Sequence, residues 1–228
     1  TEDSGSLLYE EAFTITITDV NESPTDIDLS SLSVDENESI GTIVGSLSST
    51  DVDDSDIHTY TLVSGPGDTD NSSFDVSGNN NLITNADFNF EVKDSYSILI
   101  QTEDSGSLLY EEAFTITITD VNDIPVVTAG AIISYTENDP AAVIDNTITI
   151  NDEDDTQIAS ATVTISSGYT DDDILTFSDQ NGINGAWGTS GLSGTLTLTG
   201  EATLEFYRQA LCSITFSTTS NSTNSRTL

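Results

Sequence analysis

The sequence predicts an all-β chain of tandem Greek-key β-sandwiches, the second carrying a short helix and lacking its last strand. Three observations predict it. Residues 1–21, TEDSGSLLYEEAFTITITDVN, recur unchanged as residues 102–122, so Thr1 maps to Thr102 and the period is 102 − 1 = 101 residues. That is the size of a sandwich domain, not of a solenoid turn. Apolar and polar residues alternate with period two in short runs, and Gly/Asn/Ser/Asp turns separate the runs.

The elements follow in order. Residues 1–23 read as the tail of a preceding repeat, with 12–19 (AFTITITD) a strand of that repeat parted from its sheet. Residues 24–123 read as a complete domain of six or seven strands. Ile43 with Leu47, Tyr60 with Leu62, Leu82 with Ile83, and Tyr96, Ile98 and Ile100 mark four of them. Phe114, Ile116 and Ile118 mark another, with Thr115, Thr117 and Thr119 on its other face. Ser64-Gly65-Pro66-Gly67 and Ser77-Gly78-Asn79-Asn80 are turns. Residues 124–228 read as a second sandwich, with Ile148 and Ile150, Val163 and Ile165, Leu175 and Phe177, and Leu196 and Leu198 alternating with polar residues. From Glu201 to Leu211 the spacing of Leu204, Tyr207 and Leu211 predicts a helix. A strand with Cys212, Ile214 and Phe216 on one face comes next, and no closing strand precedes Leu228, so this domain is expected to be incomplete.

Charge excludes whole classes of partner. Forty Asp+Glu against 3 Lys+Arg give a net charge of −37. Lys93, Arg208 and Arg226 are too few and too scattered to hold a phosphate polyanion, so nucleic acid is excluded. The same balance argues against an anionic membrane surface. High charge with only 35% hydrophobic residues is also the signature of disorder. The clean alternation and low Pro content favour a folded chain, provided that something neutralises the carboxylates. No apolar run is long enough to span a membrane and no signal peptide is visible. A single Cys, no Met and abundant Asp, Thr and Ser fit an exported bacterial surface protein.

The carboxylates cluster where one domain gives way to the next. Asp19-Val20-Asn21-Glu22-Ser23-Pro24 and Asp120-Val121-Asn122-Asp123-Ile124-Pro125 lie at the boundaries. Thr50-Asp51-Val52-Asp53-Asp54 and Asn151-Asp152-Glu153-Asp154-Asp155 are each expected to follow the second strand of a domain. In extended chain Asp51 and Asp53 point to one side, as do Asp152 and Asp154, and such pairs repel unless a cation sits between them. Oxygen ligands suit Ca²⁺, and the near-absence of thiolate and imidazole argues against zinc, copper and iron. The plainer explanation, solvated acidic loops, suffices for one isolated pair. It is disfavoured when the pairs recur at both boundaries.

With these motifs in view, the chain resembles cadherin repeats, specifically the bacterial cadherin-like domains of large surface adhesins. Asp120-Val121-Asn122-Asp123 is similar to the family's DxND linker, Val34-Asp35-Glu36-Asn37 to its xEN motif and Asp51-Val52-Asp53 to its DxD motif. Thr102-Glu103-Asp104-Ser105-Gly106 is similar to its DxG motif. Phe88-Asn89-Phe90-Glu91 is a departed form of LDxE, with Asn89 in place of the aspartate. The resemblance covers residues 1–123 and implies cadherin/Ig-like sandwiches with two calcium clusters. In the first, Asn21 and Glu22 would meet Asp51, Asp53 and Asp104. In the second, Glu36, Asn89, Glu91, Val121, Asn122 and Asp123 would meet Asp152 and Asp154. Thr136-Glu137-Asn138 is an xEN-like segment of the third unit. The function implied is a non-enzymatic, calcium-stiffened structural or adhesion module at a cell surface, with neighbouring repeats as its partners. The alternative is a carbohydrate- or protein-binding module of a secreted protein, built around Trp187.

Other conspicuous residues have structural readings. His58 is expected to be a solvated or edge side chain beside Tyr60, and no catalytic triad forms around it. Cys212 is expected to be a small buried hydrophobe, Trp187 a core residue, and Asp171-Asp172-Asp173 a turn or solvated face.

Overall fold

The alternating runs become strands in a computed structural model, which describes residues 1–228 except Glu2, Leu7, Asp54 and Ser55. The chain divides into two units, Thr1–Val121 and Asn122–Leu228.

In the first unit eight short strands build two sheets. They are β1 (Asp26–Leu29), β2 (Ser33–Asp35), β3 (Ile43–Thr50), β4 (Thr59–Leu62), β5 (Phe74–Val76), β6 (Asn81–Thr84), β7 (Ser95–Glu103) and β8 (Leu109–Thr119). The orders are β1-β3-β6-β5 and β2-β8-β7-β4. Eight exceeds the six or seven expected because the first strand is split. β1 pairs antiparallel with β3, whereas β2 crosses to the other sheet and pairs parallel with β8, Val34 opposite Ile118. Alternation along β8 sends Ile116 and Ile118 into the core at 0% exposure, facing Ile98 and Ile100 of β7 and Leu82 of β6. Phe74, Phe88 and Tyr96 close the core as an aromatic cluster, with ring centroids 4.7–6.0 Å apart. Full burial of an Ile stabilises by roughly 1.5–3 kcal/mol. That gain is missing at the identical Ile15 and Ile17, which are 86% and 90% exposed in a segment that forms no strand.

The second unit has β9 (Val126–Thr128), β10 (Ala142–Val143), β11 (Thr149–Asn151), β12 (Gln157–Ile165), β13 (Ile174–Thr176), β14 (Asn184–Ser190), β15 (Ser193–Thr203) and β16 (Thr215–Ser217). They form sheets β10-β16-β13, β11-β9 and β12-β15-β14. The helix α1 spans Leu204–Cys212, three residues later in its start than the spacing predicts. Glu201–Thr203 instead extend β15, and the Thr203 side chain caps the helix by accepting the Phe206 N–H at 3.2 Å. Tyr207, Ala210 and Leu211 face the core, and the Tyr207 hydroxyl donates to the Gly200 carbonyl at 2.8 Å. Cys212 is therefore the last helical residue and not a strand residue. Its half-buried thiol packs against the core, 3.8 Å from the Ile148 carbonyl.

Two acidic residues of this unit are structural. Asp145 accepts from the Gly130, Ala131 and Thr147 N–H groups and from the Thr147 hydroxyl, which holds its carboxyl well below the usual range. Asp173 is 0% exposed and grips Arg226 through both oxygens, at 2.8 and 3.1 Å. Of the two expectations for Asp171-Asp172-Asp173, the turn is found, closed by the Asp173 N–H on the Thr170 carbonyl, while the solvated face fails at Asp173.

Candidate metal centre

Two carboxylate clusters stand in the first unit. Oxygens of Asp51, Asp56 and Asp104 lie within 4.8 Å of one another, as do oxygens of Glu36, Glu91 and Asp120.

Local turns build the first cluster. The Asp53 N–H donates to Asp51 Oδ1 at 3.1 Å, and the Glu22 N–H donates to Asp53 Oδ2 at 2.7 Å. Asn21 Nδ2 donates to Asp104 Oδ2 at 2.9 Å and to its neighbour's carbonyl at 3.1 Å. Gly106 makes room for this approach, since a Cβ there would fall 2.5 Å from the Asn21 carboxamide. The five residues expected at the first boundary are thus drawn together. The simple repulsion argument for Asp51 and Asp53 is corrected, because backbone N–H groups already feed both carboxylates.

The electrostatics favour ionised Asp51 and Asp104 but not Glu22. The Asp53 N–H, opposed by burial and aided by His58, holds the Asp51 carboxyl below its ordinary value. Burial pushes Asp104 up, but the Leu108 N–H, the Asn21 amide and the Gly106 N–H outweigh it and leave the carboxyl lowered. Burial and then the charges of Asp53 and Asp19 raise the Glu22 carboxyl. Of the two placements expected for His58, beside an edge strand or in solvent, the structure gives the first. His58 precedes β4, and its Nε2 lies 3.2 Å from Asp51 Oδ2 with the ring largely buried.

Asp56 is the residue that motif reasoning missed, although the spacing Asp51-x-Asp53-x-x-Asp56 is a visible signal. Its Oδ1 takes the Ser105 hydroxyl. Its Oδ2 is shielded from solvent with no hydrogen-bond partner among the described residues. Such an atom is costly unless something satisfies it, and a hard cation among three carboxylates would do so. Asp54, quoted with this motif, lies outside the described residues.

In the second cluster Glu36 is 2% exposed, and its two oxygens accept the Val121 N–H at 2.9 Å and the Phe90 N–H at 2.7 Å. It therefore ties β2 to the chain on either side of it in space, a structural duty beyond any ion. Asn89 Oδ1 caps a turn by accepting the Val92 N–H at 2.8 Å. Asp120, which the sequence shows only as part of the linker motif, joins Glu36 and Glu91.

The second unit repeats part of this arrangement at the 101-residue offset. The Asp123 N–H donates to Asp154 Oδ2, and the Asp154 N–H to Asp152 Oδ1 at 3.1 Å. Asn122 Nδ2 donates to the Asp123 carbonyl at 2.8 Å, as Asn21 does to that of Glu22 at 3.1 Å. Asn37 and Asn138 both adopt left-handed backbone, with φ of 60° and 67°. The chemistry of the boundary thus persists where the rest of the sequence diverges.

Trp187, expected in the core, is half-buried and packs against it from one side. It stands opposite Leu196 on β15 and covers Gly194, where a Cβ would fall 2.3 Å from its ring. No helix among the described residues is long and apolar enough to cross a membrane.

No protein-family model matches the chain, and no curated protein is similar to it. Similar solved structures include a protocadherin gammaB7 EC3-6 cis-dimer, at 19% identity and a TM-score of 0.40 over 80% of this chain and 40% of that one. The extracellular cadherin domains 1-5 of protocadherin gamma B2 match at 22% identity and a TM-score of 0.40, over 82% of this chain and 34% of that one. Mouse cadherin-23 EC22-24 matches at 20% identity and a TM-score of 0.39, over 79% and 55%. The chain spans less than two thirds of the length of each of these cadherin structures.

Proposed function

We propose that the chain is a calcium-binding structural and adhesion module of a large bacterial surface protein, working outside the cell. The observation that carries this is the three-carboxylate cluster of Asp51, Asp56 and Asp104, with its shielded Asp56 oxygen that has no partner among the described residues. These three residues would hold one cation, and Glu36, Glu91 and Asp120 a second. When bound, the ion supplies positive charge to a chain of net charge −37.

The chain's own residues do the positioning. Asn21 and Glu22 fasten the incoming segment to Asp104 and Asp53. At the next boundary, Val121 is fastened to Glu36, and Asp123 to Asp154, so only Asn122 separates two anchored residues. Bound cations would stiffen these linkers by removing the repulsion among the carboxylates around them, letting tandem units carry tension as a stalk.

Calcium titration followed by calorimetry tests the reading. A cation at about a hundred times its dissociation constant stabilises by roughly 2.7 kcal/mol per site, and chelation should reverse this as a fall of several degrees in melting temperature. Asp56→Asn should weaken calcium binding at least tenfold. Identical melting curves in excess calcium and in excess chelator would remove the reading.

A further inference from the structure

We propose that the Ser49 hydroxyl sets the separation of Asp51 from Asp104 and thereby makes their cluster prefer calcium to magnesium. This role presupposes that Asp51, Asp56 and Asp104 take a cation, as proposed above. Period-two alternation builds this end of the first unit in layers. Leu47, Ser49 and Asp51 follow one another on the inward side of β3 and its end, and Ile100, Thr102 and Asp104 on that of β7. Asp56, His58 and Tyr60 do the same on β4 and the residues before it. The innermost layer is apolar, the next is made of hydroxyls, and the outer one is ionic. Ser49 Oγ donates to Thr102 Oγ1 at 2.9 Å and lies 2.9 Å from the Tyr60 hydroxyl. A serine has one proton to give, so Tyr60 donates to Ser49. Tyr60 and Thr102 are both buried.

The hydroxyl layer joins the two sheets where the carboxylates cannot. β3 pairs with β1 and β6, whereas β4 and β7 pair with each other in the opposite sheet. Asp51 thus comes from one sheet and Asp104 from the other. Ionised carboxylates only accept hydrogen bonds, so these two have none to give each other, and their charges push them apart. His58 also crosses to Asp51, at 3.2 Å, but that contact uses the carboxylate's own Oδ2. One layer below, at Ser49, the spacing is fixed by groups that no cation engages.

Magnesium asks for a tighter site. Opposed ligand oxygens stand roughly 4.6–5.2 Å apart across calcium and about 4.0–4.2 Å apart across magnesium, twice the respective bond lengths. Oxygens of Asp51, Asp56 and Asp104 lie within 4.8 Å of one another, a spread that calcium can bridge without movement. The Asp53 N–H holds Asp51 and the Leu108 N–H holds Asp104, so the carboxylates themselves have little freedom to close further. Closing onto magnesium would therefore bring the sheets together at this end by up to about 1 Å. An O–H···O pair stands about 2.5–3.0 Å apart, so Ser49 would be driven into Thr102 and Tyr60 before the site had closed. In the other direction, the same two bonds resist the spreading that repulsion among three carboxylates would cause. The hydroxyl is a stop against contraction and a tie against expansion.

The test follows the single histidine of the chain. Its Nε2 lies 3.2 Å from Asp51 Oδ2, so its imidazole NMR signals report this cluster and not that of Glu36. The full chain is titrated with Ca²⁺ and with Mg²⁺ at one pH, and urea denaturation in chelator gives the metal-free stability. The parent is expected to bind calcium more tightly than magnesium. Ser49→Ala should weaken calcium by about 10–100-fold, the loss typical of residues that orient metal ligands, and lower the calcium-to-magnesium ratio with it. Ser49→Thr, which keeps the hydroxyl, should recover the ratio. Ile98→Val, a change of comparable cost in the same core, should lower metal-free stability and leave the ratio alone. A Ser49→Ala chain that is less stable yet keeps the parent's ratio overturns the proposal, and so does an equal fall of the ratio in Ile98→Val. A parent whose histidine signals ignore calcium at every concentration removes the cation reading itself, and this role with it.

Discussion

The carboxamide of Asn21 occupies the place where Gly106 would carry a side chain, 2.5 Å from that absent Cβ. Asn21 in turn holds Asp104, 83 positions further along the chain. Gly106→Ala should displace Asn21 and leave Asp104 without one of its partners. Residues that orient metal ligands typically contribute about 10–100-fold in affinity, and a loss of that size in a calcium titration is expected. Asn21→Ala added to Gly106→Ala should cost little more, because the two changes remove one contact. Additive losses would show that Gly106 acts elsewhere.

Glu36 carries two duties. Its oxygens accept the Phe90 and Val121 N–H groups while almost wholly buried. Stranding buried donors costs about 1–3 kcal/mol, so Glu36→Ala should lower the stability of the first unit in chelator, where no ion contributes. Urea denaturation in chelator gives the answer. A variant as stable as the parent would mean that water replaces the carboxylate without penalty.

Glu22 should behave oppositely with and without metal. Its folded-state carboxyl is raised above the ordinary 4.5 by burial and by Asp53 and Asp19. An acid so raised favours the folded state below about pH 4.5, and that contribution disappears as pH climbs through the folded value. At neutral pH its charge is therefore unfavourable in the metal-free chain. Glu22→Gln should raise the melting temperature slightly in chelator at pH 7, have no effect at low pH, and reduce the rise that calcium produces. A lower melting temperature in chelator would contradict this.

The Asp173–Arg226 pair tests the second unit alone. Removing one partner of a buried ion pair costs about 3–5 kcal/mol, so Asp173→Ala should unfold this unit well before the first. Burial pushes the Asp173 carboxyl up, but Arg226, the Thr170 N–H and Thr218 hold it below the ordinary 3.8. Asp145 is lowered by the Gly130 N–H, the Thr147 hydroxyl and the Ala131 N–H. Groups lowered on folding stabilise above about pH 3.8 and lose that contribution as pH falls through their folded values. Scanning calorimetry from pH 6 down should show the second unit's transition holding until about pH 4 and then dropping.

What was legible in the sequence was what repeats or alternates. Ile116 and Ile118 announced their face through Thr115, Thr117 and Thr119, and the boundary residues Asn21, Glu22, Asp51, Asp53 and Asp104 could be grouped through their motifs. What needed coordinates was contact at long range. The acidic turn at Asp171-Asp172 was legible, but nothing near Asp173 in sequence names Arg226 as its buried partner. His58 is drawn out of solvent by Asp51, seven positions earlier, a contact that alternation alone does not show. Asp56 was passed over because a motif fixes attention on its own letters, while the turn after β3 brings in the next carboxylate. The helix start slipped by three residues because Thr203 reads equally as strand or cap until its hydroxyl is seen on Phe206.

The hydrogen bonds from Glu22 to Asp53 and on to Asp51 recur as those from Asp123 to Asp154 and on to Asp152. One set sits beside the sandwich of β1 to β8, the other beside strands of different sequence. A crossover that fuses Asn21 directly to Asp123 deletes a whole period and leaves the second set untouched. Duplicating residues 22–122 would add a period on the same terms. A gene with such interchangeable seams can drift in length without any intermediate having to re-evolve a folded unit. The number of domains in the encoded protein thereby becomes a heritable quantity, adjustable in steps of one period.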